Sequence, residues 1–339
     1  MGRYVIRRLL LAIPTVIAIG FVIFAILDLA PGDPTSNLPL NIPPETREQI
    51  RRALGLDQPF VIRWLKWMQL MFINEPLHMI ESIFNICIGD CENRVRIVSW
   101  AGRAPALDII WGRLPQTLWV LGTAFIIGIL IAVPTGILSA YKQYSWFDNV
   151  GTFFSMVGFS VPTFFTGLVA IVIFAVNLRW FPSIYDTTHH VDWTDWNSIL
   201  IQIKQMIMPV AVLSLFNAAA LTRFTRASVL DNLNEDYVRT ARSKGLGERP
   251  VVTVHVLRNS MIPVVTLIAL QIPGIFAGAI ITEQIFRING LGALLITAIG
   301  QSDVPMVQTL TFIFAVLIVV FNLVADVTYG LLDPRIRYD

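Results

Sequence analysis

The segment Glu235–Pro250, EDYVRTARSKGLGERP, lies between two long apolar runs and is unusually rich in charge for this chain. Residues 223–258 around it hold seven basic and four acidic residues, whereas only 14% of all 339 residues are charged. A solvated loop would account for the charge alone. It would not account for the helix signals that the segment also carries.

Those signals predict a short helix that is closed by a turn. Asn234 can cap the helix at its start, and Glu235 suits the first turn because acidic groups are favoured at the positive end of a helix. Lys244 suits the last turn for the opposite reason. Gly245 can then adopt the left-handed conformation that commonly ends a helix.

The rest of the chain has the composition of a membrane protein that crosses the bilayer several times. Apolar residues make up 55% of the sequence and the mean hydropathy is +0.65, which is outside the range of soluble domains. Residues 9–29 follow three arginines and form an apolar run longer than that of a signal peptide. We therefore expect an uncleaved first transmembrane helix.

Six apolar runs are long enough to cross a bilayer, which takes about 20 helical residues. They are residues 9–29, 116–141, 151–176, 205–222, 260–285 and 307–332. With the N-terminus inside, thirteen basic residues lie in the inner segments and three in the short outer loops. This bias predicts an all-α polytopic membrane protein with both termini in the cytoplasm, a charged cytoplasmic helix and an extracytoplasmic segment between the first two spans.

Residues 31–113 form the one long segment outside the predicted spans. Within it, VIRWLKWMQLMFI (residues 61–73) predicts an amphipathic helix that either lies on the membrane surface or packs against the bundle. Its predicted apolar face consists of Val61, Trp64, Leu65, Met68 and Phe72.

The chain has two cysteines, Cys87 and Cys91, and both lie in this long segment. Their spacing on a helix would just permit a disulfide. An oxidising location favours that bond, and two buried thiols are the alternative.

Known catalytic and nucleotide-binding motifs are absent from the sequence. There is no G-x-x-x-x-G-K-[ST] phosphate loop, no G-x-S-x-G and no H-E-x-x-H. His189 and His190 lie near Asp192 and Asp195, and we interpret them as a solvated polar loop in preference to a metal site. The sequence therefore predicts no metal, no cofactor in this chain and no enzymatic activity.

Ionisable residues inside the predicted spans are sparse. Asp28 lies near the outer end of the first span and Asp326 near the inner end of the last. A carboxylate in the bilayer is costly and therefore a candidate functional group, but we prefer a structural role for Asp326 at the inner interface. A proton- or sodium-coupled carrier would show more such carboxylates, so the energy for any transport is expected from another subunit.

The charged helix resembles the EAA loop of ABC-importer permeases. Arg239–Ala241 occupy its three-residue positions, Gly245 its glycine and His255–Arg258 its closing I-x-L-P pattern. Arginines replace the glutamate and proline of that pattern, at Arg239 and Arg258, as in the dipeptide and oligopeptide permease branch.

The resemblance continues along nearly the whole chain. Residues 60–113 depart from it, being longer and less regular than in the family. Elsewhere, motifs in the same order resemble the B-type membrane subunit of that branch: RYVIRRLLLAIPTV (residues 3–16), LAPGDP (29–34), LGLDQP (54–59), GRLPQTL (112–118), GFSVPTFF (158–165), LTRFTRASVLDNLNEDY (221–237), ITEQIFRINGLGALL (281–295) and DPRIR (333–337).

The resemblance implies a type I ABC-importer permease fold. It divides the chain into an N-terminal transmembrane helix (1–30), an extracytoplasmic segment (31–113), a transmembrane permease domain (114–332) with a coupling loop (223–258), and a cytoplasmic tail (333–339). It also implies a coupling surface for the ATPase subunits, made by Glu235, Asp236, Tyr237, Arg239, Thr240, Ala241, Arg242, Lys244, Gly245 and Leu246.

The implied partners are a second homologous permease, two cytoplasmic ATPases that bind ATP and magnesium, an extracytoplasmic solute-binding protein and the lipid bilayer, with no nucleic acid. Di- or oligopeptides are the expected substrates, and oligosaccharides, nickel chelates and glutathione are alternatives handled by the same branch. An ion-coupled secondary transporter is disfavoured by the sparse carboxylates. An intramembrane enzyme is disfavoured because no nucleophile–base or metal set lies within the spans.

Overall fold

The computed structural model describes residues 2–29, 57–89, 91, 94–189, 191–277 and 279–332. Residues 31–56 of the predicted extracytoplasmic segment, His190 and the predicted tail 333–339 are outside this part. Within it the chain is helical, and its only β-type pairing is an isolated bridge between Val98 and Pro105. The predicted all-α architecture is confirmed.

The described helices, several of which contain a π-helical turn, are numbered here in chain order. They are α1 (Gly2–Leu29), α2 (residues 60–84), α3 (Ala106–Tyr141), α4 (Trp146–Ser160), α5 (Thr163–Asn177), α6 (Trp196–Leu233), α7 (Asp236–Ser243), α8 (residues 248–277), α9 (Ile280–Phe286), α10 (Leu291–Gly300) and α11 (Val304–Leu332).

Five of these helices, α1, α3, α6, α8 and α11, are long and apolar enough to cross a membrane. The third predicted span, residues 151–176, is instead the broken pair α4 and α5, which are bent by 101°. Val161 between them is extended (φ −86°, ψ 125°), because a residue that precedes a proline disfavours the helical region. The apolar run predicted as the third span is therefore broken next to Pro162.

The broken pair still covers the full thickness of a bilayer. At its start, Asp148 accepts two hydrogen bonds from Arg226 on α6 (2.7 and 2.8 Å). Just beyond its end, Tyr185 accepts a hydrogen bond from Gln202 of α6 (2.6 Å). Gln202 and Arg226 are about 36 Å apart along α6 at about 1.5 Å per residue, against about 30 Å of hydrocarbon. The segment from Asp148 to Tyr185 is therefore long enough to be one span, which gives six candidate spans together with the five long helices.

Two other span predictions need correction. The fourth span was expected to be the shortest, yet α6 has 38 residues and is the longest described helix. Its buried polar side chains, such as Gln205, Thr225 and Ser228, lower the local hydropathy without ending the helix. The fifth predicted span, residues 260–285, is divided between α8 and the short α9.

The described residues cluster into two compact units, of which the first contains residues 115–293 and the end of α11. Its centre is the close packing of α3 on α6. Gly128, Ala132, Gly136 and Ala140 repeat every four residues along the buried face of α3. A Cβ at Gly136 would lie 2.7 Å from the Cβ of Thr225, so the missing side chain permits the close approach.

We expect Gly136→Val to destabilise this unit. The added methyl groups would overlap Thr225 and the carbonyl of Thr222, and overpacking of a core contact typically costs about 1–3 kcal/mol. Thermal unfolding of the purified chain, followed by size-exclusion chromatography, measures the loss. Gly122→Val is the matched control in the same helix, because no atom lies within 4 Å of its Cβ position. Equal stability of the two variants would contradict this packing.

The second unit contains residues 6–114 and 294–319, and its core joins α2 to the spans α1 and α11. The ring of Trp67 on α2 lies 5.9 Å from that of Phe24 and 5.2 Å from that of Phe312. Of the two open interpretations of this helix, packing against the bundle is therefore confirmed. Only part of the predicted apolar face packs on the spans: the rings of Trp64 and Phe72 contact those of Phe21 and Phe312, whereas Val61 and Leu65 are exposed. Trp67, which is not on that face, is the most central contact.

Cys87 and Cys91 form a disulfide in a loop, with Cα atoms 5.9 Å apart. The helical spacing assumed for them was wrong, since α2 ends at Phe84 and Asn85 turns the chain with a positive φ of 51°. An ion pair between Glu81 and Arg94 (2.6 Å) also braces this loop.

Candidate coupling site

The charged segment forms the short helix α7, as predicted, but with a different start. Glu235 is the N-cap residue, in an extended conformation, and its side chain makes no capping hydrogen bond. Asn234 instead terminates α6, where its amide donates to the carbonyl of Leu230 (3.1 Å). Its expected role as the cap of α7 was wrong, because its side chain is used by the preceding helix.

The predicted closing glycine is confirmed as a structural feature. Gly245 has a φ of +79° and donates its N–H to the carbonyl of Arg242 (2.9 Å). Leu246 donates to the carbonyl of Ala241 (3.4 Å), which completes a Schellman turn. The turn redirects the chain into α8 within a few residues.

Two small apolar side chains anchor α7. Val238 is fully buried and Ala241 is 5% exposed, and both pack in a cluster with Val229, Val251 and Val256. Val238 was missed from the sequence, although an apolar pair at i and i+3 in a charged helix is a recognisable anchor pattern. Ala241, which was expected at the coupling surface, faces the cluster instead.

The other predicted coupling residues are all exposed. They are Glu235, Asp236, Tyr237, Arg239, Thr240, Arg242, Lys244, Gly245 and Leu246. Thus α7 presents a surface of mixed charge on one side and is fixed to the bundle on the other.

Contacts within the segment set its shape more than its stability. Arg242 pairs with Glu248 through two hydrogen bonds (2.9 and 3.2 Å) and so bridges the turn between α7 and α8. Arg239 lies 3.6 Å from Asp236 on the exposed side of α7. Exposed ion pairs contribute only about 0–1 kcal/mol, so neither pair holds the helix in place. The helix is held in place by the burial of Val238.

The predicted coupling loop 223–258 is not a continuous loop. Arg223 and Arg226 belong to α6, where Arg226 pairs with Asp148 and Arg223 lies 5.0 Å from the ring of Phe159. Arg258 belongs to α8. Counting charges along the sequence combined residues of the ends of α6 and α8 with those of α7 and its turn.

A buried carboxylate was also missed. Glu283 on α9 is fully buried. It falls within the predicted fifth span but was not among the carboxylates identified there from the sequence. It accepts hydrogen bonds from the Thr117 hydroxyl (3.2 Å) and the N–H of Ala293 (2.8 Å). Thr117 in turn accepts from the N–H of Leu291 (2.8 Å). These bonds satisfy amides in the first turn of α10, and Gly290 leaves the space that the carboxylate needs.

Asp28 and Asp326, the carboxylates identified from the sequence, differ in their surroundings. Asp28 pairs with Arg63 at the start of α2. Asp326 lies half-buried on α11. A structural role for Asp326 therefore stays a prediction.

The loop around His189 is held together by hydrogen bonds. The His189 ring contacts the Ser198 carbonyl (3.1 Å), and Asp195 accepts two bonds as the N-cap of α6. Hydrogen bonds from the side chain and backbone of Thr188 hold the pKa of Asp186 below its usual value. Among the described residues, no group of three or more His, Cys, Asp or Glu side chains could hold a metal ion.

Six candidate spans and a charged helix docked on two of them define a polytopic membrane protein. The chain belongs to the family described as "Binding-protein-dependent transport system inner membrane component", whose model matches residues 132–338. The corresponding N-terminal family model matches residues 1–121. It is therefore a multi-pass permease subunit of an ABC transport system in the inner membrane.

Curated relatives match over essentially the whole length. The chain is 38% identical to the oligopeptide transport system permease protein AppB of Bacillus subtilis, with full coverage of both chains. It is 34% identical to the dipeptide transport system permease protein DppB of Escherichia coli, with 100% of this chain and 99% of that protein covered. A putative peptide transport system permease protein of Brucella abortus is also 34% identical, again with full coverage of both.

Proposed function

We propose that this chain forms half of the pore of an ATP-driven importer of di- or oligopeptides. The second half is a homologous permease subunit, and an extracytoplasmic solute-binding protein delivers the peptide. Two cytoplasmic ATPase subunits bind ATP and magnesium and supply the energy. The proposal is supported by the peptide permeases that match the full chain and by the absence of a phosphate-loop motif from its sequence.

In this proposal, α7 is the element through which the ATPases act. The observation that carries it is the difference between the two sides of the helix. Val238 on one side is fully buried, whereas the charged side chains around it are exposed. A force on the exposed side is transmitted to α6 and α8 through the buried cluster, because closely packed interiors deform little. The termini and α7 then lie in the cytoplasm, and the connection between the first two spans lies on the extracytoplasmic side.

Charge reversal on the exposed side of α7 tests this role. Arg239→Glu is expected to weaken binding of the ATPase subunits about fivefold, because an exposed charge pair contributes up to about 1 kcal/mol. The difference should shrink in 1 M salt, where the screening length falls to about 3 Å. Affinity for the ATPases, measured on reconstituted permease at two salt concentrations, gives both values.

Lys204→Glu is the control, since Lys204 is equally exposed on α6 but lies far along that helix from α7. The double change Arg242→Glu and Glu248→Arg separates docking from turn closure, because it restores the ion pair with its charges exchanged. Wild-type ATPase affinity in Arg239→Glu at low salt would refute the docking surface.

A further inference from the structure

We propose that α2 lies within the bilayer, at the depth of the acyl chains of one leaflet, with its exposed apolar face against lipid. The alternatives are a helix in water beside the membrane and a helix covered by another protein. Three observations within the unit formed by α1, α2 and the start of α11 favour lipid as the occupant. They are the depth of its contacts, the pairing of its charges and the extent of its exposed apolar surface.

The contacts of α2 place it below the ends of two spans. A Cβ at Gly20 of α1 would lie 3.3 Å from the Trp67 ring, and the same ring packs on Phe312 of α11. Gly20 is about 13 Å along α1 from its end at Leu29, and Phe312 is about 12 Å along α11 from Val304, at about 1.5 Å per residue. Half of the hydrocarbon core is about 15 Å thick. Both spans thus place Trp67 among acyl chains.

Three of the charged side chains of α2 are paired with a charge of opposite sign, as a low-dielectric environment requires. Glu75 is 1% exposed and Glu81 is 9% exposed. An ionised side chain at such a site is costly unless it is paired. Three ion pairs meet this requirement: Arg63 with Asp28, Glu75 with Arg96 and Glu81 with Arg94.

Lys66 is exposed on α2, but its long apolar stem can carry the ammonium group to the bilayer surface. The charge on this side chain is therefore compatible with a helix in the membrane.

Most of the remaining exposed surface of α2 is apolar, and it is interrupted by Gln69 and Ser82. The apolar part includes Leu65 (54% exposed), Ile73 (53%), Ile80 (38%), Ile83 (66%) and Phe84 (67%). In water so large an apolar surface would be unfavourable. On α1, against which α2 packs, Ile13, Val22 and Ile26 are exposed to a similar degree, as expected of a span that faces lipid.

Site-directed spin labelling measures the environment of this face. Single cysteines at Ile73 and Ile80 carry a nitroxide, in the full chain reconstituted into phospholipid nanodiscs; Cys87 and Cys91 are bonded to each other and do not react. Relaxation by oxygen, which concentrates in acyl chains, is compared with relaxation by a water-soluble nickel complex. A label at Ile13 on α1 is the lipid reference, and a label at Ser243 in the charged segment is the water reference.

The proposal requires the labels at Ile73 and Ile80 to match the oxygen-to-nickel ratio of the Ile13 label. Relaxation by nickel comparable to that at Ser243 would show that the face is in water and would overturn the proposal. Protection from both reagents would overturn it too, because another protein surface would then cover the helix. The two labels are at separate positions on α2. If one variant does not fold, the other still measures the environment of this helix.

Discussion

Gly245→Val is expected to abolish most of the coupling between ATP hydrolysis and transport while leaving the membrane bundle folded. Gly245 has a φ of +79°, and a side chain in the left-handed region costs about 1–2 kcal/mol, more for a β-branched residue. No atom lies within 4 Å of its Cβ position, so the penalty comes from the backbone alone. The turn must then change conformation and misplace Lys244 and Leu246, which lowers coupled ATP hydrolysis by about tenfold for each 1.4 kcal/mol.

The measurement is substrate-stimulated ATP hydrolysis and uptake in vesicles that hold the complete transporter. Two variants control for the change of side chain. Gly247→Val lies in the same turn with a φ of −64° and should be tolerated. Gly245→Asn should keep most activity, because asparagine adopts the left-handed conformation more readily than valine. Normal coupling in Gly245→Val would mean that the segment is only a solvated loop.

Glu283→Ala is expected to cause the largest loss of stability among the changes considered. It would remove the acceptor of the buried Thr117 hydroxyl and one hydrogen bond of the Ala293 N–H, and the loss at a buried group such as Thr117 costs about 1–3 kcal/mol. A cavity where the carboxylate stood adds to this cost. The yield of monodisperse protein and its unfolding temperature should both fall.

Gln284→Ala provides the matched control for Glu283→Ala. Gln284 is the next residue on α9 and its side chain is exposed. If the two variants unfolded at the same temperature, the hydrogen bonds of Glu283 would not stabilise the start of α10 as described.

How far the fold could be predicted depended on what each residue pattern encodes. Apolar runs located the six candidate spans, because a segment that crosses lipid must satisfy its backbone groups within a long helix. The same runs could not show that Pro162 breaks the third crossing, since neighbouring helices often accommodate a proline. Gly136 was not singled out from the sequence, because its importance depends on the distance between α3 and α6.

The charged segment was predictable where its signals were local. Gly245 closes α7 as expected, because the left-handed conformation favours glycine at this position whatever surrounds it. Val238 and Glu283 were missed because their roles depend on partners distant in sequence, such as Val256 and Thr117. Arg226 was assigned to the exposed charge for the same reason, since Asp148 lies 78 positions away.

The break between α4 and α5 also bears on which compartment each end of the chain reaches. In the proposed topology of six crossings, an even number, the end of α11 lies in the compartment where α1 begins. Four of those crossings precede α7, which then shares that compartment. The parity depends on the bent pair: if α4 and α5 folded back on themselves, one crossing would be lost and α7 would emerge in the opposite compartment. The proposed sidedness of everything after the bent pair therefore depends on the contacts of Asp148 and Tyr185 with distant levels of α6.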